Sequence, residues 1–388
     1  MDHFKPVNED LLKVVSYKVL GKLPDPFLKE DGTRVATRED WASRRKELYK
    51  TAVELQYGTM PPKPEFLEVE TLYRTKFYSS FHIHTGTRKN PVTFRMQVIL
   101  PQEQEGPFPA IVDGDQCFRY HMDLDYLHRA LDKSVAWVLF DRTELAHDVQ
   151  HEGRQKGALY PVYPDRTFGA LGAWAWGYSR CVDALEKLDL PIDLDWIAFC
   201  GHSRGAKTAM LAGVQDERAR IVNPNSTCCA SCSCYRIHME ATFEGNDKPK
   251  RSETLDDMCR NFPFWIGEGM EEYRLREEDL PFDEHFLKAL VAPRTLYVSE
   301  AAWDVWANPI GSWMTTQAVK EVYRFFGAEE NLFWSFRPGF HEHSVADVAA
   351  LVNVICHQRN GEPLSERFFK TPFHPPELIY DWRCPEIK

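Results

Sequence analysis

The stretch Trp196-Ile-Ala-Phe-Cys-Gly201-His-Ser203-Arg-Gly205-Ala-Lys207-Thr-Ala leaves this chain few ways to fold. Ile197 to Cys200 is a short apolar run of the kind that forms a buried strand. Gly201-His202-Ser203-Arg204-Gly205 matches G-x-S-x-G, and Ala206 to Gly213 reads as a helix of small residues. A strand, a sharp turn and a helix around this pentapeptide describe a nucleophile elbow, with Ser203 at its tip. The flanking glycines let strand and helix approach. The helix N-terminus then lies where developing negative charge is favoured.

The rest of the chain supplies the sheet that such an elbow needs. Residues 1–36 are Pro-rich and read as an irregular wrap, and Thr37-Arg-Glu-Asp40 caps a helix from Trp41 to about Tyr57. Strands follow at 66–73, 77–84 and 92–100, the last alternating through Phe94, Met96, Val98 and Leu100. Further strands are predicted at 107–112, 135–140, 221–222, 294–299 and 332–336. Helices are predicted at 124–131, 168–188, 312–326 and 345–359. Residues 141–165 form a long aperiodic segment, the length of a functional loop, and 237–290 read as a charged insertion with short helices. Strands alternating with helices predict a three-layer α/β-hydrolase fold, with a mostly parallel, doubly wound sheet and an antiparallel N-terminal edge. We read residues 1–388 as one domain, in which 1–65 wrap the surface and 237–290 lie near the site.

A serine hydroxyl becomes nucleophilic only when a base takes its proton. In this fold the acid follows one late strand and the histidine follows the last. Arg337-Pro-Gly-Phe-His341-Glu-His343-Ser follows the final strand, so His341 is the preferred base and His343 the second candidate. Tyr297-Val-Ser-Glu300-Ala-Ala-Trp-Asp304-Val-Trp306 follows a core strand and offers Asp304 as the acid, with Glu300 as runner-up. A buried carboxylate there would hold the imidazole in its working tautomer.

With these three placed, the surrounding residues resemble the glucuronoyl esterases of carbohydrate esterase family 15 and their bacterial acetylxylan-esterase-like relatives. The resemblance spans most of the chain. It rests on Trp41-Ala-Ser-Arg-Arg-Lys-Glu, Tyr57-Gly-Thr-Met-Pro61, Phe140-Asp-Arg-Thr-Glu144 and Tyr160-Pro-Val-Tyr-Pro-Asp165. It continues in Gly169-Ala-Leu-Gly-Ala-Trp-Ala-Trp176, the elbow, Phe262-Pro-Phe-Trp265 and Pro281-Phe-Asp-Glu-His-Phe. It implies that Arg204 serves the oxyanion hole. It also implies that Lys207, one turn beyond the serine, contacts sugar hydroxyls, that Trp306 and Trp265 line the sugar site, and that Glu253 and Asn261 hold the places of a Gln and a Glu that bind uronate hydroxyls. Two stretches depart from the family pattern. Where many members carry their triad glutamate, this chain has Pro224-Asn225-Ser226-Thr227, which turns the choice towards Asp304. A glycine-rich stretch is replaced by Cys228-Cys-Ala-Ser-Cys-Ser-Cys234.

That cysteine stretch has the two-residue spacing of a metal-ligand pair, but lacks a matching second pair, so we read it as small buried residues, with metal and redox roles as alternatives. His202 is read as structural and pointing away from the serine. Asp141 and Glu144 are candidates to buttress Arg204 or shape the pocket.

The expected activity is therefore serine carboxylester hydrolysis on a carbohydrate ester, foremost a (4-O-methyl-)glucuronoyl ester. The alternatives are an acetyl esterase on xylan or oligosaccharides and a catalytically silent carbohydrate-binding relative. No cofactor and no metal is implied. The partner is a small-molecule or oligosaccharide ester. A net charge of −11 argues against nucleic acid and anionic membrane surfaces. The opening Met1–Asp10 lacks the apolar core of a signal peptide and the ten cysteines are not a small disulfide scaffold, so a cytoplasmic protein is expected, although family members are often secreted.

Overall fold

The computed structural model describes residues 12–102, 104–243, 246–372 and 376–386. The opening Met1–Asp10 lies outside them. Nine strands form one sheet. The antiparallel edge is β2 (Phe66–Arg74), β3 (Tyr78–Gly86) and β4 (Pro91–Ile99). The rest is β5 (Phe108–Asp113), β6 (Ala136–Phe140), β7 (Ile192–His202), β8 (Ala219–Asn225), β11 (Thr295–Ala301) and β12 (Leu332–Arg337). Their order is β12-β11-β8-β7-β5-β6-β4-β3-β2, with every pair from β12 to β6 parallel. The fold is the expected α/β-hydrolase sheet. β5 and β6 are buried along their whole length, which is why they read as apolar runs without alternation. β4 keeps one face exposed and alternates through Val92, Phe94, Met96 and Val98.

Two apolar layers sandwich the sheet. One packs the helices Ala170–Leu185, Arg204–Gln215 and Pro309–Phe326 through residues such as Trp174, Met210 and Met314. The other packs Leu124–Leu131 and Val345–Asn360 through Tyr126, Val348 and Leu351. The small residues of Arg204–Gln215 let it lie close on β7 and β8. A side chain at Gly213 would collide with Val222 of β8.

Three expectations are corrected. Residues 1–36 are not wholly irregular: β1 (Leu12–Val19) pairs antiparallel with β9 (Ile237–Phe243), which also pairs with β10 (Asn246–Arg251). The segment 237–290 therefore contributes two strands as well as short helices. The missed signal was period-two burial of Ile237, Met239, Ala241 and Phe243, masked by the charged β10 strand. The helix expected over 41–57 runs as Arg38–Tyr49, a π turn over Lys50–Glu54 and a last turn at Leu55–Tyr57. Gly58 ends it at φ 83, where a side chain would strike the Thr167 carbonyl.

The core also encloses Glu284, fully buried on the short helix Glu284–Ala289. Burial pushes its carboxyl up to about 8, Asp283 adds to the shift, and Lys207 opposes it. The unfolded chain ionises this group near 4.5. Its contribution to stability is thus complete below that pH and is lost as pH rises through the folded value. We expect Glu284→Gln to flatten the fall in urea-unfolding free energy between pH 5 and 8. An unchanged slope would show that Glu284 is ionised in the fold.

Candidate active site

Ser203 sits at the end of β7 with φ 57 and ψ −120, a backbone conformation that L residues avoid. The surrounding structure holds it there. The Ser203 N–H donates to the Asn225 carbonyl of β8 at 3.0 Å. A side chain at Gly201 would overlap the Gly205 backbone, and one at Gly205 would overlap the Asp115 carboxylate. The glycine spacing is thus a direct consequence of how tightly strand, serine and helix meet.

Two loops converge on the hydroxyl. Ser203 Oγ lies 2.9 Å from His341 Nε2, and His341 Nδ1 lies 2.6 Å from Asp304 Oδ2. The loop bearing His341 leaves β12, and the loop bearing Asp304 leaves β11. They are tied together by Ala302 N–H to the Arg337 carbonyl (2.8 Å) and Trp303 N–H to the Gly339 carbonyl (3.1 Å). Arg337 also donates Nε to both oxygens of Asp347 at 2.8 Å, clamping the loop to the closing helix. Asp304 is 3% exposed, and its second oxygen accepts the Ala307 N–H at 3.3 Å, which fixes the carboxylate's orientation.

The structure does not bring Glu300 or His343 to the serine. Glu300 accepts the Ser312 hydroxyl at 2.6 Å. Burial drives its carboxyl far above the usual carboxylate range, against the pull of Ser312, and the charge of Asp304 adds to the rise. A neutral Glu300 thus ties β11 to the helix Pro309–Phe326 rather than serving His341. His343 accepts or donates to Tyr126 at 2.9 Å and stacks on His202. His202 is structural, but it does not point away from the site. Its ring lies 4.6 Å from His341 and its Nδ1 bonds Asn225 at 2.7 Å. Burial, with His343 and His341 adding to it, holds His202 far below the usual histidine value and thus neutral. It forms an uncharged wall behind the His341 imidazole.

Arg204 does not rest on Asp141 or Glu144. Asp141 caps Thr143 at 2.8 Å, and Glu144 accepts the Arg95 N–H at 2.9 Å. Asp148, from the long loop, accepts Arg204 Nη1 at 3.1 Å and Trp265 Nε1 at 3.3 Å. The guanidinium lies 4.8 Å from the Trp265 ring centre, and Trp265 stacks on Phe262 at 3.9 Å. Arg204 Nε is buried and has no partner among the described residues, leaving one donor uncommitted beside the elbow. Asp148 also meets Arg142, a fully buried arginine in contact with Asp115, and Asp115 accepts the His202 N–H at 2.7 Å. Residues from the loops that follow β5 and β6 and from the elbow thus form one chain of charge. No motif in the sequence marks Asp115, and Arg142 and Asp148 stand there only as members of larger segments. No local spacing joins Asp115 to the 141–165 segment that carries Arg142 and Asp148.

Lys207 and Glu253 form a buried pair at 2.7 Å, each 3% exposed. Burial would lower the Lys207 ammonium, but Glu253 more than offsets this and holds it charged. Little of either side chain is left open, so these two residues form one unit rather than separate groups presented to a ligand. The Lys207 Nζ also meets the Cys229 carbonyl. Cys228 and Cys229 both donate to the Glu253 carbonyl, at 3.3 and 3.5 Å. Burial pushes the Cys229 and Cys234 thiols far up and Cys232 to about 12, so these thiols are neutral packing groups. Asn261 ends the helix Leu255–Asn261 half-buried, and its carbonyl accepts the His151 N–H at 3.2 Å. Trp306 is 39% exposed, two residues past Asp304, and its carbonyl accepts the Glu253 N–H at 3.1 Å.

A serine at a nucleophile elbow on an α/β sheet, joined through histidine to a carboxylate, defines a serine hydrolase of the α/β-hydrolase class. The model of the family described as glucuronyl esterase, fungi, matches residues 83–327. The chain belongs to the glucuronoyl esterase family, whose members are serine carboxylester hydrolases. A 4-O-methyl-glucuronoyl methylesterase of Podospora anserina is 28% identical over 320 residues, which cover 82% of this chain and 63% of the relative. One from Neurospora crassa is 28% identical over 327 residues, covering 84% of this chain and 77% of that protein. Against the first, the chain spans less than two thirds of the relative's length. The solved family 15 glucuronoyl esterase of Caldicellulosiruptor kristjansonii superposes with a TM-score of 0.83 at 27% identity, covering 94% of this chain and 98% of that one.

Proposed function

We propose that this chain hydrolyses a glucuronoyl ester, with Ser203, His341 and Asp304 as its catalytic residues. The observation that carries the reading is the unbroken hydrogen-bonded line from Ser203 Oγ through His341 to Asp304. Ser203 Oγ attacks the ester carbonyl carbon while its proton passes to His341 Nε2. Asp304 holds the Nδ1–H and stabilises the imidazolium. The negative carbonyl oxygen meets the Arg204 backbone N–H, free at the first position of its helix, and the uncommitted Nε–H of its guanidinium. The tetrahedral intermediate collapses, the carbon–oxygen bond to the alcohol breaks, and His341 returns the proton to that oxygen. Water attacks the acyl-serine by the same route, and the uronate leaves as a carboxylate.

The Lys207–Glu253 pair lies one helical turn from Ser203. Both side chains are closed off against each other, so the pair fixes the floor of the site beneath Trp265, and the exposed ring of Trp306 offers the apolar wall for the sugar. The partner is thus a small or oligomeric sugar ester. Among the described residues no helix is long and apolar enough to cross a membrane. All ten cysteines stand as free thiols, which supports work in a reducing, cytoplasmic compartment; recovery of the native protein from culture medium would overturn that part.

Benzyl glucuronate and an acetylated xylo-oligosaccharide, assayed side by side, test the substrate. We expect cleavage of the uronate ester, lost in Ser203→Ala by roughly 10⁶-fold in kcat, the scale known for removal of a serine nucleophile. Cleavage of the acetyl ester alone would overturn the substrate. Failure of Ser203 to label with a fluorophosphonate would overturn the triad and favour a silent binding protein.

A further inference from the structure

We propose that the outer edge of the sheet, far along the strand order from the elbow, carries a site for a divalent transition-metal ion, formed by Glu70, His82 and His84. Glu70 lies on β2, the edge strand, and is the direct antiparallel partner of His82 on β3. His84 is two residues further along β3, so its side chain emerges on the same face. Glu70 Oε2 stands 3.4 Å from His82 Nδ1 and 3.1 Å from His84 Nε2. All three ligand atoms lie within 4.8 Å of one another. Ligands at about 2.0–2.1 Å around a tetrahedral ion are separated by roughly 3.3–3.4 Å. Two edges of the triangle therefore already match such a site, and the partly exposed side chains leave room for a fourth ligand from solvent.

Charge and orientation agree with this reading. His84 Nδ1 lies 2.8 Å from the Thr93 hydroxyl of β4, the residue opposite it in the ladder. When Nδ1–H donates to that hydroxyl, the Nε2 lone pair is left facing Glu70. This is the outer-sphere bond that fixes the tautomer of metal-binding histidines. His82 and His84 are partly exposed, at 35% and 36% of their side chains, and Glu70 at 56%, so an ion reaches them without opening the fold. Glu68 stands opposite His84 in the same ladder and adds negative charge to this face. Arg95 stands opposite His82 on β4 and is the cation an incoming ion must tolerate. Two imidazoles and one carboxylate suit zinc or its first-row neighbours. A hard oxygen-seeking ion such as calcium is disfavoured.

The consequence is structural. β2 exposes much of its length, including Leu72 and Tyr73, and an unprotected edge invites pairing with other chains. An ion shared by β2 and β3 would lock that edge strand into register and stabilise the fold by mass action.

The test is a titration of the chelator-treated full-length chain with Zn²⁺ against a chromophoric chelator, and with Co²⁺ followed by visible absorption. We expect one Zn²⁺ per chain to bind at least tenfold tighter than to His84→Ala or Glu70→Gln. We also expect a tetrahedral Co²⁺ spectrum that both variants lose, and a melting temperature that rises with Zn²⁺ only when the site is intact. Ester hydrolysis by both variants should match the parent, which also shows that they fold. Equal Zn²⁺ affinity in parent and variants, or a Co²⁺ spectrum that survives both substitutions, would overturn the site.

Discussion

Replacing Asp304 by Asn will lower kcat on a uronate ester by about 10⁴-fold, whereas Glu300→Gln will change it by less than about tenfold. The first figure is the scale measured when the triad aspartate of another serine hydrolase becomes an amide. An amide at 304 can present its NH₂ to His341, which turns the imidazole into the tautomer that cannot accept the serine proton. Asp304 is the carboxylate that touches His341, at 2.6 Å. Glu300 is bonded to Ser312, and burial holds it neutral. A glutamine there keeps the contact with the Ser312 hydroxyl and adds no charge. Steady-state kinetics on the two variants decide the matter. A collapse of activity in Glu300→Gln with Asp304→Asn largely active would move the acid to Glu300 and overturn the proposed mechanism.

Arg142→Leu will destabilise the protein by about 3–5 kcal/mol, the range for removing one partner of a buried ion pair. Arg142 is fully buried between the rings of Phe118 and Trp174, at 4.8 and 4.9 Å, and it meets both Asp115 and Asp148. Burial already pushes the Asp115 carboxyl up to about 7, and Arg142 is the main force opposing it. Without the guanidinium Asp115 takes a proton, and its grip on the His202 N–H beneath the elbow weakens. Asp148 loses one of its two arginines and with it the geometry that holds Arg204. Urea denaturation reads the first effect. The second should appear in the surviving folded enzyme as a fall in kcat larger than the change in KM, because the proposed mechanism has Arg204 act on the oxyanion rather than on the bound ester. Arg142→Lys should recover part of the stability and little of kcat, since an ammonium cannot span both carboxylates. Stability within about 1 kcal/mol of the parent in Arg142→Leu would show that this chain of charge does not support the elbow.

The sequence by itself determined the parts whose physical cause is local. Gly201, Ser203 and Gly205 are readable because a turn this tight excludes side chains at two positions. β5 and β6 are readable because a strand buried on both faces must be apolar throughout. The order of serine, acid and histidine pointed to Asp304 and His341 because the fold delivers loops from β11 and β12 to one end of the sheet.

Tertiary structure alone decided the rest. Glu300 and Asp304 are both carboxylates after the same strand, and only burial and the Ser312 bond separate a neutral support from the partner of His341. Asp115 comes from the loop after β5 and Arg142 and Asp148 from the segment after β6, and their charges become one network only where the fold removes water from between them. β1 and β9 are more than two hundred residues apart, and the ladder that makes β1 a strand exists only once the fold brings β9 beside it. Glu70, His82 and His84 stand on two strands, and the register that brings them together is set by pairing across strands. Local sterics and burial patterns are written in neighbouring residues, whereas desolvation and charge pairing depend on which distant residues the folded chain brings into contact.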